Sequence, residues 1–266
     1  MNQRTGSPRT GGTAAVPDSA SCVPLMQGAG SEMQGTNGHA AALPGRSPVR
    51  AAPPRKDPAF SRDAVVTVWR DHAFHVISGN YFYKTESYYS ILRHEMEGKA
   101  VRPSSAAVID AYVVPVCLER ARLAKIPVCN WGISQGYAPL PSILYGLNYY
   151  ATAADYTVVR DGEKAKEVIK HITNKGKYPF CYQKLEEGAT IGSCISIFGK
   201  TTGDCRIVSD IAEKVYDLFS IPLVTIVYVR YGDRCLLSSI SSVKYSHMSE
   251  AERSVLSAYL TQQEFL

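Results

Sequence analysis

The loop that follows the second predicted strand carries the side chains best suited to recognising a small molecule. It combines two aromatic rings with an amide, an ammonium and a hydroxyl group, in the residues Asn80, Tyr81, Tyr83, Lys84 and Thr85. Ligands of open α/β sheets bind at the carboxyl ends of strands, which is where this loop is expected. The residue types fit a ligand-binding or partner-binding surface, and they equally fit tyrosines that cover a sheet edge with their hydroxyls in water.

A second segment, Gly199-Lys200-Thr201, lies between a predicted strand and a predicted helix and is similar to the end of a phosphate-binding P-loop. That loop needs a glycine five residues before Gly199, and the sequence has Cys194 there. We therefore expect no nucleoside triphosphate at this turn, although Lys200 and Thr201 remain candidates for contact with an anion at a helix start. If the two preceding strands are parallel and adjacent, both segments open onto one sheet edge.

Patterns for other chemistry are missing from the sequence. There is no Gly-x-Gly-x-x-Gly after the early strands and no Gly-x-Ser-x-Gly elbow. The seven cysteines include no Cys-x-x-Cys pair, so the spacing favours reduced thiols over a zinc site. We accordingly predict no catalytic residues and no metal ligands.

The pattern of apolar residues predicts alternating strands and helices. In chain order these are strands at 64–69 and 74–78, a helix that ends at Gly98, a strand at 99–102, a helix over 106–121 that Pro115 kinks or ends, a short strand at 125–129, an irregular stretch over 131–148, a helix from Asp161 to Gly176, a strand at 194–198, a helix over 205–219, strands at 223–229 and 235–240, and a last helix capped by Ser249 and Glu252. The predicted fold class is mixed α/β (α+β): a mixed sheet with a Rossmann-like βαβ unit, helices packed on it, and a carboxyl-terminal antiparallel hairpin plus helix.

Composition separates residues 1–59 from the rest of the chain. They are rich in Gly, Pro, Ala and Ser, and every Phe, Trp and Tyr lies from Phe60 onward. A segment without aromatics buries too little apolar surface to fold, so we predict a disordered tail at 1–59 and one folded domain at 60–266. The tail holds three of the five net positive charges, and a domain so near neutrality does not favour nucleic acid. No apolar run could span a membrane and no secretory signal is evident, so we expect a cytoplasmic protein.

One family resembles this chain over residues 74–260, on an ordered set of residues. The set comprises Tyr81, Tyr83, Thr85, Tyr88, Tyr89, Leu92, Glu95, Gly98, Val101, Pro103 and Ser104, the blocks 198–201 and 218–223, and the polar stretch 238–249 with its capped helix. In this set the sequence resembles the amino-terminal domain that precedes RimK-like ATP-grasp ligases. It departs from the family's pattern at Gly79 and Phe82, where arginines are usual.

The resemblance implies a function only indirectly, because members usually continue into an ATP-grasp catalytic domain of about 200 residues. We therefore expect a non-catalytic accessory or substrate-presenting module for a separate ATP-grasp carboxylate–amine ligase, not an enzyme on its own. ATP and Mg²⁺ are then expected only in the partner, and a small carboxylate or amine is a further candidate ligand. Two alternatives remain: a free-standing hydrolase or transferase that uses the 80–85 loop, and a remnant of a split ligase gene.

Overall fold

The computed structural model describes residues 64–148, 151–202 and 206–261. The tail predicted at 1–59 lies outside these residues. The described part of the chain is a mixed α/β structure with three sheets and six helices, which confirms the predicted fold class. The single mixed sheet expected from the sequence is divided into three separate sheets.

The first sheet contains the predicted βαβ unit. Strands β1 (Val66–Arg70) and β2 (Ala73–Ile77) form an antiparallel hairpin, and helix α1 (Glu86–Met96) leads to the short parallel strand β3 (Val101–Arg102). Helix α1 ends as predicted, because Gly98 takes a φ of +70°, which costs a glycine little. Met96 at the end of α1 is 87% exposed, so the buried face of the helix does not extend to its last residue.

The predicted helix over 106–121 is two helices. Helix α2 (Ser105–Tyr112) and helix α3 (Val114–Leu123) meet at Val113, whose backbone is extended. Pro115 lies in the first turn of α3, where its missing N–H is not needed, so the expected break is confirmed. The strand predicted at 125–129 is reduced to one bridge between Val128 and Leu237.

The second sheet is the part of the fold that the sequence did not reveal. Strands β4 (Trp131–Ser134), β5 (Ser142–Gly146), β6 (Tyr156–Val159) and β7 (Phe180–Lys184) pair in the antiparallel order β4-β7-β5-β6. Two of them fall in the stretch predicted to be irregular. Strand β5 is buried on both faces between β6 and β7, so it shows no alternation of polar and apolar residues. Helix α4 (Gly162–Ile172) packs on this four-stranded sheet, and the Asp161 carboxylate accepts from the Lys164 N–H at 2.8 Å, as a helix cap should.

The third sheet is antiparallel, and its residues take part in three different apolar clusters. We call it the central sheet. It consists of β8 (Thr190–Ile197), β9 (Leu223–Tyr231) and β10 (Arg234–Ser241), with helix α5 (Arg206–Phe219) between β8 and β9. Strands β9 and β10 are the predicted carboxyl-terminal hairpin. Helix α6 (Glu250–Thr261) follows and begins at the predicted capping box, in which Ser249 and Glu252 bond to each other's backbone N–H.

The two faces of the central sheet have different coverings. One face carries Val224, Ile226 and Leu237 into the largest apolar cluster, against helices α2, α3 and α5. On the other face, Val229 packs with residues of the four-stranded sheet, whereas Ile197 and Leu223 pack with Leu256 of α6. That second face is therefore covered by two different elements along its length.

Among the described residues, no helix is long and apolar enough to cross a membrane.

Candidate functional site

Tyr81 of the predicted binding loop is a core residue. It is 0% exposed, its hydroxyl donates to the Val76 carbonyl at 3.0 Å, and it accepts from the Ser78 N–H at 2.9 Å. Burial raises the pKa of this phenol well above its ordinary value. The ring therefore fixes the loop against the sheet and presents no surface to a ligand.

Asn80 and Thr85 shape the same loop through local hydrogen bonds. The Asn80 side-chain oxygen accepts from the Phe82 N–H at 3.0 Å, and the Thr85 hydroxyl donates to the Phe82 carbonyl at 2.7 Å. Tyr83 is half-buried, and Lys84 is exposed with its ammonium 5.4 Å from the Tyr83 ring centroid. Asn80 and Thr85 thus hold the backbone of the loop, whereas the Tyr83 and Lys84 side chains contact each other.

Tyr83 also lines an apolar cavity of about 200 Å³. The cavity lies between the loop and the α2–α3 junction, with Phe82, Tyr112 and Leu147 among its walls. The structure therefore gives this part of the loop a neighbouring space, but its lining is almost entirely apolar.

Lys200 and Thr201 follow a tight turn of the central sheet. Strand β8 ends in a two-residue turn in which Phe198 and Gly199 both have positive φ, and Ile197 and Lys200 exchange backbone hydrogen bonds. The Thr201 hydroxyl bonds to the Ser209 hydroxyl on α5 at 2.8 Å, while Lys200 is exposed. Strands β2 and β8 belong to different sheets, so the expected common edge for the two loops does not exist.

We predict that Gly199→Ala lowers the free energy of unfolding by about 2–3 kcal/mol, because a left-handed backbone costs an L-residue roughly 1–2 kcal/mol and the added atom must also be accommodated. A Cβ at Gly199 would lie 2.9 Å from the Tyr216 Cβ. Urea denaturation measures the change. Gly232→Ala is the matched control, since Gly232 also has positive φ but open space around it, and it should cost about 1 kcal/mol. Equal losses in the two variants would mean that contact with α5 contributes nothing.

A polar cavity of about 350 Å³ lies on the second face of the central sheet. At one end of that face, Val229 packs against the four-stranded sheet, and at the other end Ile197 packs against α6. The cavity lies between these two contact areas. We call it the inter-sheet cavity, because Tyr156 of β6 forms the wall opposite the central sheet. Its volume falls within the range of about 300–1,000 Å³ that is usual for small-molecule sites.

Strand register explains the floor of the inter-sheet cavity. Side chains two residues apart on a strand share a face, and directly paired residues of neighbouring strands share it too. Ser193 pairs with Val227, Ile195 pairs with Thr225, and Thr225 also pairs with Ser241. These five side chains line the cavity, so its floor alternates hydroxyl groups with apolar groups.

The charged residues of the inter-sheet cavity come from the segment between β10 and α6. Lys244, His247 and Glu252 all line it, and the two basic side chains are exposed at its mouth. Glu252 is already engaged, because its carboxylate accepts from the Ser249 N–H at 2.7 Å and from the Ser249 hydroxyl. The mouth thus offers the Lys244 ammonium and the His247 imidazole to a ligand, while the Glu252 carboxylate is bonded to Ser249. This balance favours an anionic ligand.

A buried hydrogen-bond network lies beside this cavity and joins the two sheets. Ser238 is left out of the β9–β10 register as a bulge, and its hydroxyl donates to the Gln183 side-chain oxygen at 2.7 Å. The Gln183 amide donates to the Ser238 carbonyl at 2.7 Å, and the Tyr145 hydroxyl lies 2.7 Å from the Ser238 hydroxyl. Ser239 accepts from Tyr145 and is the direct partner of Val227 in the cavity floor. The network therefore holds the cavity floor in register with the four-stranded sheet.

Sequence reasoning did not assign the inter-sheet cavity. The available signal was the hydroxyl-rich run from Ser238 to Ser242, which is unusual for a strand that pairs at the centre of a fold. Serine is common in loops, so the run was interpreted as a polar stretch of the family pattern. The opposing strand β6 was not predicted, and a cavity between two sheets cannot be inferred when one sheet is missing.

The described residues do not offer a site that fits a magnesium ion. Mg²⁺ prefers carboxylate and other oxygen ligands in near-octahedral geometry. No group of three or more His, Cys, Asp or Glu side chains suited to hold a metal occurs among the described residues, and Glu252 is committed to the helix cap. The five described cysteines are free thiols, and burial raises the pKa of Cys129 and Cys181 to about 12.

Comparison with known proteins identifies the fold. A RimK domain protein with an ATP-grasp fold from Sphaerobacter thermophilus DSM 20745 matches with a TM-score of 0.52 and 17% identity, over 66% of this chain and 75% of that one. A D-alanine–D-alanine ligase from Helicobacter pylori is similar at a TM-score of 0.48 and 12% identity, over 66% of this chain and 65% of that one. No protein-family model and no curated protein matches the sequence. At this identity the first likeness shows an ATP-grasp-like fold.

This comparison corrects the function expected from the sequence. A non-catalytic module that lacks the ATP-grasp domain should match only the first part of an ATP-grasp protein. The match instead extends over 75% of the Sphaerobacter chain, so the accessory role in trans is wrong. A free-standing hydrolase or transferase that uses the 80–85 loop, or a remnant of a split gene, gains no support either. The expectation failed because the strands of the four-stranded sheet were not recognised in residues 131–184.

Proposed function

We propose that this chain itself binds a nucleotide in the inter-sheet cavity, and that the associated activity is ATP-dependent joining of a carboxylate to an amine. The observation that carries the proposal is the polar gap between two sheets that are otherwise packed together. The likeness to an ATP-grasp protein supports the choice of a nucleotide, and ligases share that fold.

The lining of the inter-sheet cavity suits the three parts of a nucleotide. Tyr156, Ile195 and Val227 provide apolar area for a base, and the Tyr156 ring can stack on that base. The hydroxyls of Ser193, Thr225 and Ser241 can exchange hydrogen bonds with a sugar. The Lys244 ammonium and a ring N–H of His247 at the mouth can donate hydrogen bonds to phosphate oxygens, and the charged ammonium makes the stronger of these bonds.

Magnesium does not belong to this proposal, because the described residues do not fit it. We therefore derive no catalytic step through a metal ion and base the proposal on binding. ATP and ADP should bind in the presence of EDTA as well as with added Mg²⁺.

Calorimetric titration of the full chain with ATP and with ADP tests nucleotide binding. We expect saturable binding that Lys244→Met weakens about five- to tenfold, since one exposed charged hydrogen bond is lost. Lys177→Met, an exposed lysine on the loop before β7, is the matched control and should bind like the parent protein. Absence of saturable binding of either nucleotide would contradict the proposal.

Ligation is tested separately in the same samples. We expect ADP release from ATP only when a carboxylate and an amine are both supplied, with a panel of amino acids as the probe. Nucleotide binding without any such release would leave the site assignment in place and remove the ligase activity.

A further inference from the structure

Three basic side chains lie together on one face of the first sheet, which consists of β1, β2 and β3, and none of them lines the inter-sheet cavity. His75 on β2 is paired with Arg102 on β3 and with Val68 on β1. Arg70 follows Val68 by two residues, so it points to the same face. A diagonal neighbour across two strands is within reach of a long side chain. The sheet therefore brings Arg70, His75 and Arg102 to one place.

Buried polar atoms in this group lack partners in the protein. His75 is 1% exposed, yet neither of its ring nitrogens makes a hydrogen bond of normal geometry, and the buried Nη1 of Arg70 has none either. Buried polar atoms of native proteins are nearly always satisfied, and an exception calls for an ion, a water molecule or a functional reason. The Arg70 Nη1 and one N–H of the neutral imidazole are the donors available to a common acceptor, and protonation of the ring adds a second N–H.

The surroundings of these nitrogens are aromatic. Phe198 lies with its ring centroid 6.0 Å from that of His75, and it stacks on Tyr259 of α6 at 4.5 Å. The Arg70 guanidinium lies over the Tyr259 ring, 5.4 Å from its centroid. Burial raises the pKa of Tyr216 on α5, and the charges of Arg102 and Arg70 partly oppose that rise. Tyr216 therefore lies near both arginines. Apolar walls of this kind strengthen any charge interaction between them.

The electrostatics of the group favour an anion. Burial lowers the pKa of His75, and Arg102 lowers it further, while Asp71 and the Arg70 carbonyl act in the opposite direction and the Arg70 charge lowers it slightly. A neutral imidazole offers one N–H donor. Asp71 is 65% exposed and lies 3.6 Å from the Nε of Arg70, so it approaches the other edge of the guanidinium and leaves Nη1 without a partner.

We propose that Arg70, His75 and Arg102 form an anion site that takes a phosphate group. Arginine forks match the oxygens of phosphate, and the imidazole N–H supplies a further donor from the sheet side. Arg102 is exposed, so it lies at the entrance, whereas His75 lies at the base. The phosphate comes either as the free ion or as part of a small phosphomonoester, for which the aromatic walls provide contact area.

Nuclear magnetic resonance of histidine-labelled full-length protein tests the anion site. The probe is inorganic phosphate at constant ionic strength, with chloride as the control and His75→Gln used to assign the signal. We expect saturable shifts of the His75 resonance and a raised His75 pKa, since a nearby anion favours the protonated ring. Phenyl phosphate forms the second arm: tighter binding than inorganic phosphate identifies a phosphomonoester, and weaker binding identifies the free ion.

Arg102→Gln supplies the decisive variant, because the side chain is exposed and the fold should tolerate the change. Phosphate affinity should fall at least about fivefold, as expected for one lost charged hydrogen bond in partly screened surroundings. Arg160→Gln, an exposed arginine ahead of α4, should leave it unchanged. Shifts that do not saturate with phosphate, or equal affinity in both variants, would overturn the site and leave water as the partner of these nitrogens.

Discussion

Replacing Tyr81 by alanine should lower the free energy of unfolding by about 3–5 kcal/mol, the usual cost of truncating a buried aromatic side chain. The ring is fully buried in the largest apolar cluster, and its hydroxyl bonds to both Val76 and Ser78. Tyr81→Phe keeps the ring and removes only these hydrogen bonds, so it should cost about 1–2 kcal/mol. Urea denaturation measures both changes.

Tyr83→Ala is the control within the same loop. Tyr83 is half-buried and borders the apolar cavity, so its truncation should cost clearly less, about 1–2 kcal/mol. A Tyr81→Ala protein with unchanged stability would show that the loop is a surface, as the sequence first indicated.

Gln183→Leu should be the second large effect, at about 2–4 kcal/mol, because it leaves the Ser238 carbonyl and hydroxyl partly unsatisfied in a buried position. Leucine has a similar volume, so the loss reports hydrogen bonds more than packing. The same variant should weaken nucleotide binding, since the network holds the floor of the inter-sheet cavity against the four-stranded sheet. Thermal and urea unfolding, followed by calorimetric titration, measure the two effects.

Lys184→Leu is the matched control for Gln183→Leu. It lies on the same strand, one residue on, and its side chain is exposed, so the change should stay within about 0.5 kcal/mol. If Gln183→Leu is equally mild, the buried network does not join the two sheets energetically.

The βαβ unit, the break near Pro115 and the capped helices could be predicted because each has a local cause. Gly98 adopts positive φ, Pro115 lacks an N–H, and Asp161 and Ser249 cap helix starts. Strand β5 could not be predicted, because burial on both faces removes alternation and five residues are too few to show a period.

Tyr81 was assigned to the wrong environment for a related reason. Tyrosines in a loop look alike in sequence whether their hydroxyls reach solvent or the Val76 carbonyl, so Tyr81 was assigned to binding when it belongs to the core. The inter-sheet cavity depends on pairing between residues far apart in sequence, such as Ser193 with Val227. Local patterns carry no information about such pairs.

Protection of His247 from carbethoxylation is the measurement that tests the inter-sheet cavity most directly. His247 lines the cavity and is exposed at its mouth, and its tryptic peptide can be followed by mass spectrometry during reaction with diethyl pyrocarbonate. Free N-acetylhistidine in the same tube controls for the reagent. We predict that ATP slows modification of His247 saturably, at the concentrations that saturate calorimetric binding, and that Lys244→Met shifts the protection to higher ATP. An unchanged rate at saturating ATP would place the nucleotide elsewhere and contradict the account.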